Sequence, residues 1–86
     1  TIESNREYGL GRPDLVVLPH DKNLSALIFE FKAVKTTESE TPEEAARDAL
    51  EQCDRKKYTA GLSTRGYKKI QVMGIGFKGK ELKMVW

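Results

Sequence analysis

Two carboxylates and one ammonium stand in a short pattern within apolar surroundings: Asp14 in Arg12-Pro13-Asp14, and Glu30 with Lys32 in Glu30-Phe31-Lys32. Carboxylates are hard oxygen donors suited to Mg²⁺, an ion that keeps several waters and accepts a substrate phosphate in its remaining positions. A lysine beside them can stabilise charge on that phosphate or help deprotonate a bound water. Brought together, these side chains are what a divalent-metal hydrolase needs.

The surrounding residues must place them. A strand turns successive side chains to opposite faces, so Glu30 and Lys32 share one face with Ala26 and Ile28, while Leu27, Phe29 and Phe31 share the other. Asp14 opens the preceding apolar run, Leu15-Val16-Val17-Leu18, and the polar stretch Pro19 to Ser25 reads as a hairpin turn. The hairpin is expected to bring Asp14 close to Glu30 and Lys32. A competing reading takes these as solvated edge-strand charges and Asp14 as an ordinary turn residue after proline. The apolar run Leu27-Ile28-Phe29 and Phe31 argues instead for a central, buried strand, where charges are costly unless paired or bound to metal.

Beyond Val34, the polar segment Lys35 to Glu40 reads as a loop, and Thr41-Pro42-Glu43-Glu44 as a helix start: N-cap, proline at the first helical position and a glutamate placed for a capping box. Acids in the first turns and Arg55, Lys56 and Lys57 towards the end suit the helix dipole, and a helix from 42 to about 59 is expected. Gly61 to Gly66 reads as its exit, Ile70 to Phe77 as a strand, Lys78-Gly79-Lys80 as a turn, and Glu81 to Trp86 as an antiparallel last strand. Strand, helix, strand implies a parallel pair joined by a right-handed crossover. The fold class is therefore α/β, a small mixed β-sheet with a crossover helix. On that helix Ala45, Ala46, Ala49, Leu50 and Cys53 span an arc of roughly 140° at about 100° per residue. Gln52 and Lys56 project inside it or at its edge, so Gln52 is a second candidate site residue. Cys53, on the same face, reads as a small core residue.

Pro-Asp, fifteen intervening residues and Glu-x-Lys together resemble the signature of the PD-(D/E)XK nuclease superfamily. The wider string Ser4-Asn5-Arg6-Glu7, Gly9, Gly11-Arg12-Pro13-Asp14 and Glu30-Phe31-Lys32 is similar to one branch of it, the nuclease-like domain at the C-terminal end of bacterial AAA-ATPase-like proteins. The resemblance covers roughly residues 2 to 77. It implies a restriction-endonuclease-like core lacking its N-terminal helix, so residues 1–86 are expected to be a single, partial domain. It implies Mg²⁺- or Mn²⁺-dependent DNA phosphodiester hydrolysis, the metal held by Asp14, Glu30 and the backbone carbonyl of Phe31, with Lys32 assisting the attacking water. Glu7, upstream of Asp14, reads either as a further acidic ligand, since related families add one there, or as an exposed glutamate before a Gly-rich turn; Arg12 reads as a partner of Glu7, with a phosphate contact as the competing reading. Some members carry a glutamine and a tyrosine on the helix near the metal, and Gln52 with Tyr58 resembles that pair, with five residues between them in place of three. An ATPase domain in the same full-length protein is an expected partner beside DNA, and a homodimer is left open.

Composition bounds the alternatives. One cysteine permits no intrachain disulfide and suggests no four-ligand zinc site. No run approaches 18 apolar residues and no signal peptide is visible, so no membrane partner and a cytoplasmic location are expected. Residues 1 to 64 hold nine Lys/Arg against twelve Asp/Glu, net −3, whereas residues 65 to 86 hold six against one, net +5. The basic C-terminal part can track phosphates beside an acidic metal site, or simply be solvated. His20, in the hairpin turn, reads as solvent-facing. Gly74-Ile75-Gly76-Phe77-Lys78-Gly79 has glycines like a dinucleotide fingerprint but lies within a strand and leads to another strand, not to a helix. Two rivals to the enzyme remain: a non-catalytic interaction module on an ATPase, and a nucleic-acid-binding module that does not cut.

Overall fold

A computed structural model describes residues 1–4 and 6–86; Asn5, part of the string quoted above, lies outside the described residues. Strands β1 (Ile2–Glu3), β2 (Leu15–Val17), β3 (Ala26–Val34), β4 (Ile70–Lys78) and β5 (Glu81–Val85) form one sheet in that spatial order, with helices α1 (Pro42–Arg55) and α2 (Tyr58–Ser63) between β3 and β4. The β3–β4 pair is parallel and the other pairs are antiparallel. The mixed sheet and crossover helix expected from the sequence are present, compatible with a restriction-endonuclease-like core. β3 is the central strand, as its apolar run predicted. The two-residue β1 was not anticipated; it pairs Ile2 with Val17 and Glu3 with Val16.

The core lies between one sheet face and the helices. Val16, Ala26, Ile28, Cys53, Tyr58, Leu62 and Tyr67 are buried there. Each large apolar side chain so covered contributes about 1.5–3 kcal/mol. Glu30 and Lys32 continue this face on β3, in register with Gly74 and Gly76 of β4. Those two glycines decide how low α1 can sit. A Cβ on Gly74 would overlap the carbonyl oxygen of Ala46, and one on Gly76 that of Pro42. The fingerprint-like Gly74-Ile75-Gly76 is thus a seat for α1, consistent with the rejection of a dinucleotide site.

The start of α1 is as the sequence predicted. The Thr41 hydroxyl accepts from the Glu44 N–H at 3.1 Å, and the Glu44 carboxylate accepts from the Thr41 N–H at 2.9 Å. Its end differs. Instead of one helix to about residue 59, α1 stops at Arg55, and α2 begins after Lys57, whose φ of 55° is left-handed. The cause is tertiary: the Leu10 N–H donates to the Lys56 carbonyl at 2.7 Å, and the loop approaches so closely that a Cβ on Gly9 would overlap the Lys57 carbonyl. Gly61, expected to begin the exit, therefore lies within α2. Among the described residues no helix is long and apolar enough to cross a membrane.

Candidate metal centre

The hairpin pairs Leu15 with Phe29, which sets Asp14 opposite Glu30. Pro13 is fully buried and anchors the chain just before Asp14. The two acids then exchange hydrogen bonds across the strands: the Asp14 N–H donates to Glu30 Oε1 at 3.0 Å, and the Phe31 N–H donates to Asp14 Oδ2 at 2.8 Å. Asp14 remains exposed, whereas Glu30 is only 4% exposed.

Glu30 is the only buried charged residue among those described, and its second oxygen is also held. Gln52 Nε2 donates to Oε2 at 2.7 Å and the Tyr58 hydroxyl at 3.4 Å. Burial pushes the Glu30 carboxyl up to about 7; the Asp14 N–H opposes this, while the Asp14 carboxylate favours the protonated form by repulsion and by hydrogen bonding. The Tyr58 hydroxyl is pushed up to about 12 by burial and by the Glu30 charge, so it stays a donor. The five-residue spacing from Gln52 departs from the pattern of the resemblance, yet Tyr58 meets Gln52 at Glu30 Oε2. The break at Lys56 and Lys57 accounts for the contact, because the chain leaves α1 before Tyr58 turns back beneath the sheet.

Lys32 lies on the same face as Glu30, and its ammonium binds a different pair of acids. It donates to Asp48 Oδ2 at 2.5 Å and to Glu40 Oε2 at 3.1 Å. These contacts raise the Lys32 pKa, Asp48 contributing most, and hold Asp48 below the usual carboxylate range. Sequence reasoning did not single out Glu40 or Asp48. The available signal was Asp48 lying four residues before Gln52, one helical turn up the same stripe. A four-residue helical step rises about 6 Å and a two-residue strand step about 6.6 Å, so Asp48 and Gln52 match Lys32 and Glu30 rung for rung.

The other predicted residues fall as follows. Glu7 is exposed and pairs with Arg12 at 3.8 Å, the pairing read for Arg12 above. Phe31 turns its ring to the opposite face, 39% exposed, with the Phe77 ring centroid 6.0 Å away. His20 is exposed in its turn, and Cys53 is buried with its thiol pushed up to about 12, mainly by burial. Of the C-terminal cations, Lys78 donates to the carbonyls of Glu38 and Glu40 at 2.6 and 2.9 Å, and Arg65 bonds Tyr8 and Glu3. Lys68, Lys69, Lys80 and Lys83 are exposed.

Two adjacent carboxylates, Glu30 buried with its proton affinity raised in part by Asp14 and Asp14 open to solvent, suit a divalent cation, which relieves their repulsion. Among the described residues no group of three or more His, Cys, Asp or Glu could hold a metal. An ion here must complete its shell with backbone carbonyl and water, as Mg²⁺ does and a closed zinc site does not.

The sequence model of the PD-(D/E)XK nuclease superfamily matches residues 1–86, the whole chain. No curated protein and no solved structure gives a significant match.

Proposed function

The chain belongs to the PD-(D/E)XK nuclease superfamily, and from that premise we propose that it hydrolyses phosphodiester bonds of DNA with Mg²⁺ or Mn²⁺ at Asp14 and Glu30. One observation supports this above the rest: a buried carboxylate, Glu30, has every oxygen engaged and meets a second carboxylate, Asp14, at the solvent boundary. A structural charge on a central strand would have a cation as partner. Here the nearest charged partner is another acid.

In this reading Asp14, Glu30 and the Phe31 carbonyl hold the ion. Once bound, the ion supplies polarisation of the phosphate and a water of lowered pKa. Gln52 and Tyr58 fix the Glu30 carboxylate and favour its charged form. Lys32, kept protonated by Asp48 and Glu40, acts as a fixed positive charge towards the phosphate and not as a base. Arg12 and the exposed C-terminal lysines supply contacts to the nucleic-acid backbone. The resemblance to domains that follow AAA-ATPase-like regions makes an ATPase domain the proposed neighbour in the full-length protein.

The test is a cleavage assay of the full-length protein on single-stranded, duplex and branched DNA with Mg²⁺, Mn²⁺ or EDTA. Metal-dependent cutting that Lys32→Ala largely abolishes, with DNA affinity retained, is the expected result. Binding without any cutting would replace the nuclease by a nucleic-acid-binding module; neither binding nor cutting would leave an interaction module.

A further inference from the structure

We propose that Asp48 and Glu40 are positioning residues that aim Lys32 at the reacting phosphate, and that Lys78 holds the loop that carries Glu40. This deepens the nuclease reading and rests on it. An ammonium has three N–H donors, and two are taken here: one by Asp48 from α1 at 2.5 Å, one by Glu40 from the preceding loop at 3.1 Å. With two directions fixed by side chains from different elements, the third N–H has a defined direction, away from both acids. A half-exposed lysine otherwise samples many rotamers. The clamp therefore reduces the freedom lost when substrate arrives.

Both arms are built deliberately by the fold. Asp48 is one turn before Gln52, and the seating of α1 on Gly74 and Gly76 sets Asp48 over Lys32 and Gln52 over Glu30 in a single placement. Glu40 lies in the loop between β3 and α1, which makes few backbone bonds of its own. Lys78, at the end of β4, donates to the carbonyls of Glu38 and Glu40 at 2.6 and 2.9 Å and so pins that loop. Thr41 then starts the helix. Lys78 is in consequence not free to bind a phosphate, unlike the exposed lysines beyond it.

The experiment compares full-length wild type with Asp48→Asn, Glu40→Gln, the double variant, Asp48→Glu and Lys78→Met, in Mg²⁺-dependent DNA cleavage, Mg²⁺ titration calorimetry and thermal melting. Losing the orientation of a group that contacts the reacting atoms is expected to lower kcat by about ten- to a hundred-fold in the double variant. KM, Mg²⁺ affinity and melting temperature should hardly move, Asp48→Glu should recover part of the rate, and Lys78→Met should reproduce Glu40→Gln. A side-chain NMR correlation of the Lys32 ammonium, visible in wild type and broadened by exchange in the double variant, reports the clamp without activity. Wild-type cleavage with an unchanged kcat in the double variant would overturn the clamp alone. So would loss of kcat that follows melting temperature and is not recovered by Asp48→Glu, since that is a structural role. No cleavage by wild type would remove the nuclease reading, and the positioning role with it.

Discussion

Asp14 and Glu30 clasp each other across the β2–β3 hairpin, each acid receiving an N–H from the other's strand: Asp14 N–H to Glu30 Oε1 at 3.0 Å, Phe31 N–H to Asp14 Oδ2 at 2.8 Å. The backbone bonds hold two like charges at one place, and the fold without metal bears their repulsion. Because Glu30 is buried as well, folding raises its carboxyl from 4.5 to about 7.

That shift has a definite sign in stability. The unfolded chain releases the Glu30 proton near pH 4.5, and the folded chain retains it to about pH 7. Between these values the folded state binds more protons, so metal-free stability falls as pH rises, by at most on the order of 3 kcal/mol. Glu30→Gln lacks the titration, and Gln52 can turn its amide to accept from the new one. Melts in EDTA should show wild type losing stability from pH 5 to pH 8 relative to Glu30→Gln. Parallel curves would mean that Glu30 is charged at little cost and the pair is not strained.

Tyr58 is expected to matter through Glu30 and not through packing alone. Tyr58→Phe keeps the buried ring but removes a donor to Oε2, so the Glu30 midpoint should rise further, read by ¹³C NMR of the carboxyl carbon. The stability change should be small, about 0.5–1.5 kcal/mol. An unmoved midpoint would make the hydroxyl contact incidental.

Gly74→Ala tests the seating of α1. The added methyl would overlap the Ala46 carbonyl, which cannot give way as a flexible side chain can. A loss of about 1–3 kcal/mol or more is expected in chemical denaturation. The same change should also disturb Lys32–Asp48 and Glu30–Gln52 together, seen as joint chemical-shift changes. Full stability with both contacts intact would show that the helix is not held at this height by the glycines.

The hairpin, the central strand and the capped start of α1 were legible in the sequence because each is set by local signals: alternation, a polar turn segment, and Thr41 with Glu44. The approach of Asp14 to Glu30 followed from the hairpin alone. What was not legible depends on contacts between distant segments. The break at Lys56 and Lys57 is imposed by Leu10 and Gly9, nearly fifty residues away in sequence, and no helical signal near Lys57 marks it. Glu40 read as one more charge in a polar loop, since its place is set by two residues distant in sequence or on another element, Lys78 at its carbonyl and Lys32 at its carboxylate. Asp48 lies just beyond the apolar arc of α1, where a solvated charge is the ordinary expectation. Gln52 was visible because it falls at the edge of that arc.

Whether Asp14 and Glu30 hold one ion between them is decided by titration calorimetry with Mg²⁺ and Mn²⁺. Wild type is expected to bind an ion that Asp14→Asn and Glu30→Gln each lose, and at ten times the dissociation constant the ion should stabilise wild type by about 1.4 kcal/mol and the amide variants by much less. Equal binding by all three proteins, or no binding by wild type, would contradict the account and leave Asp14 and Glu30 as a hydrogen-bonded pair of purely structural meaning.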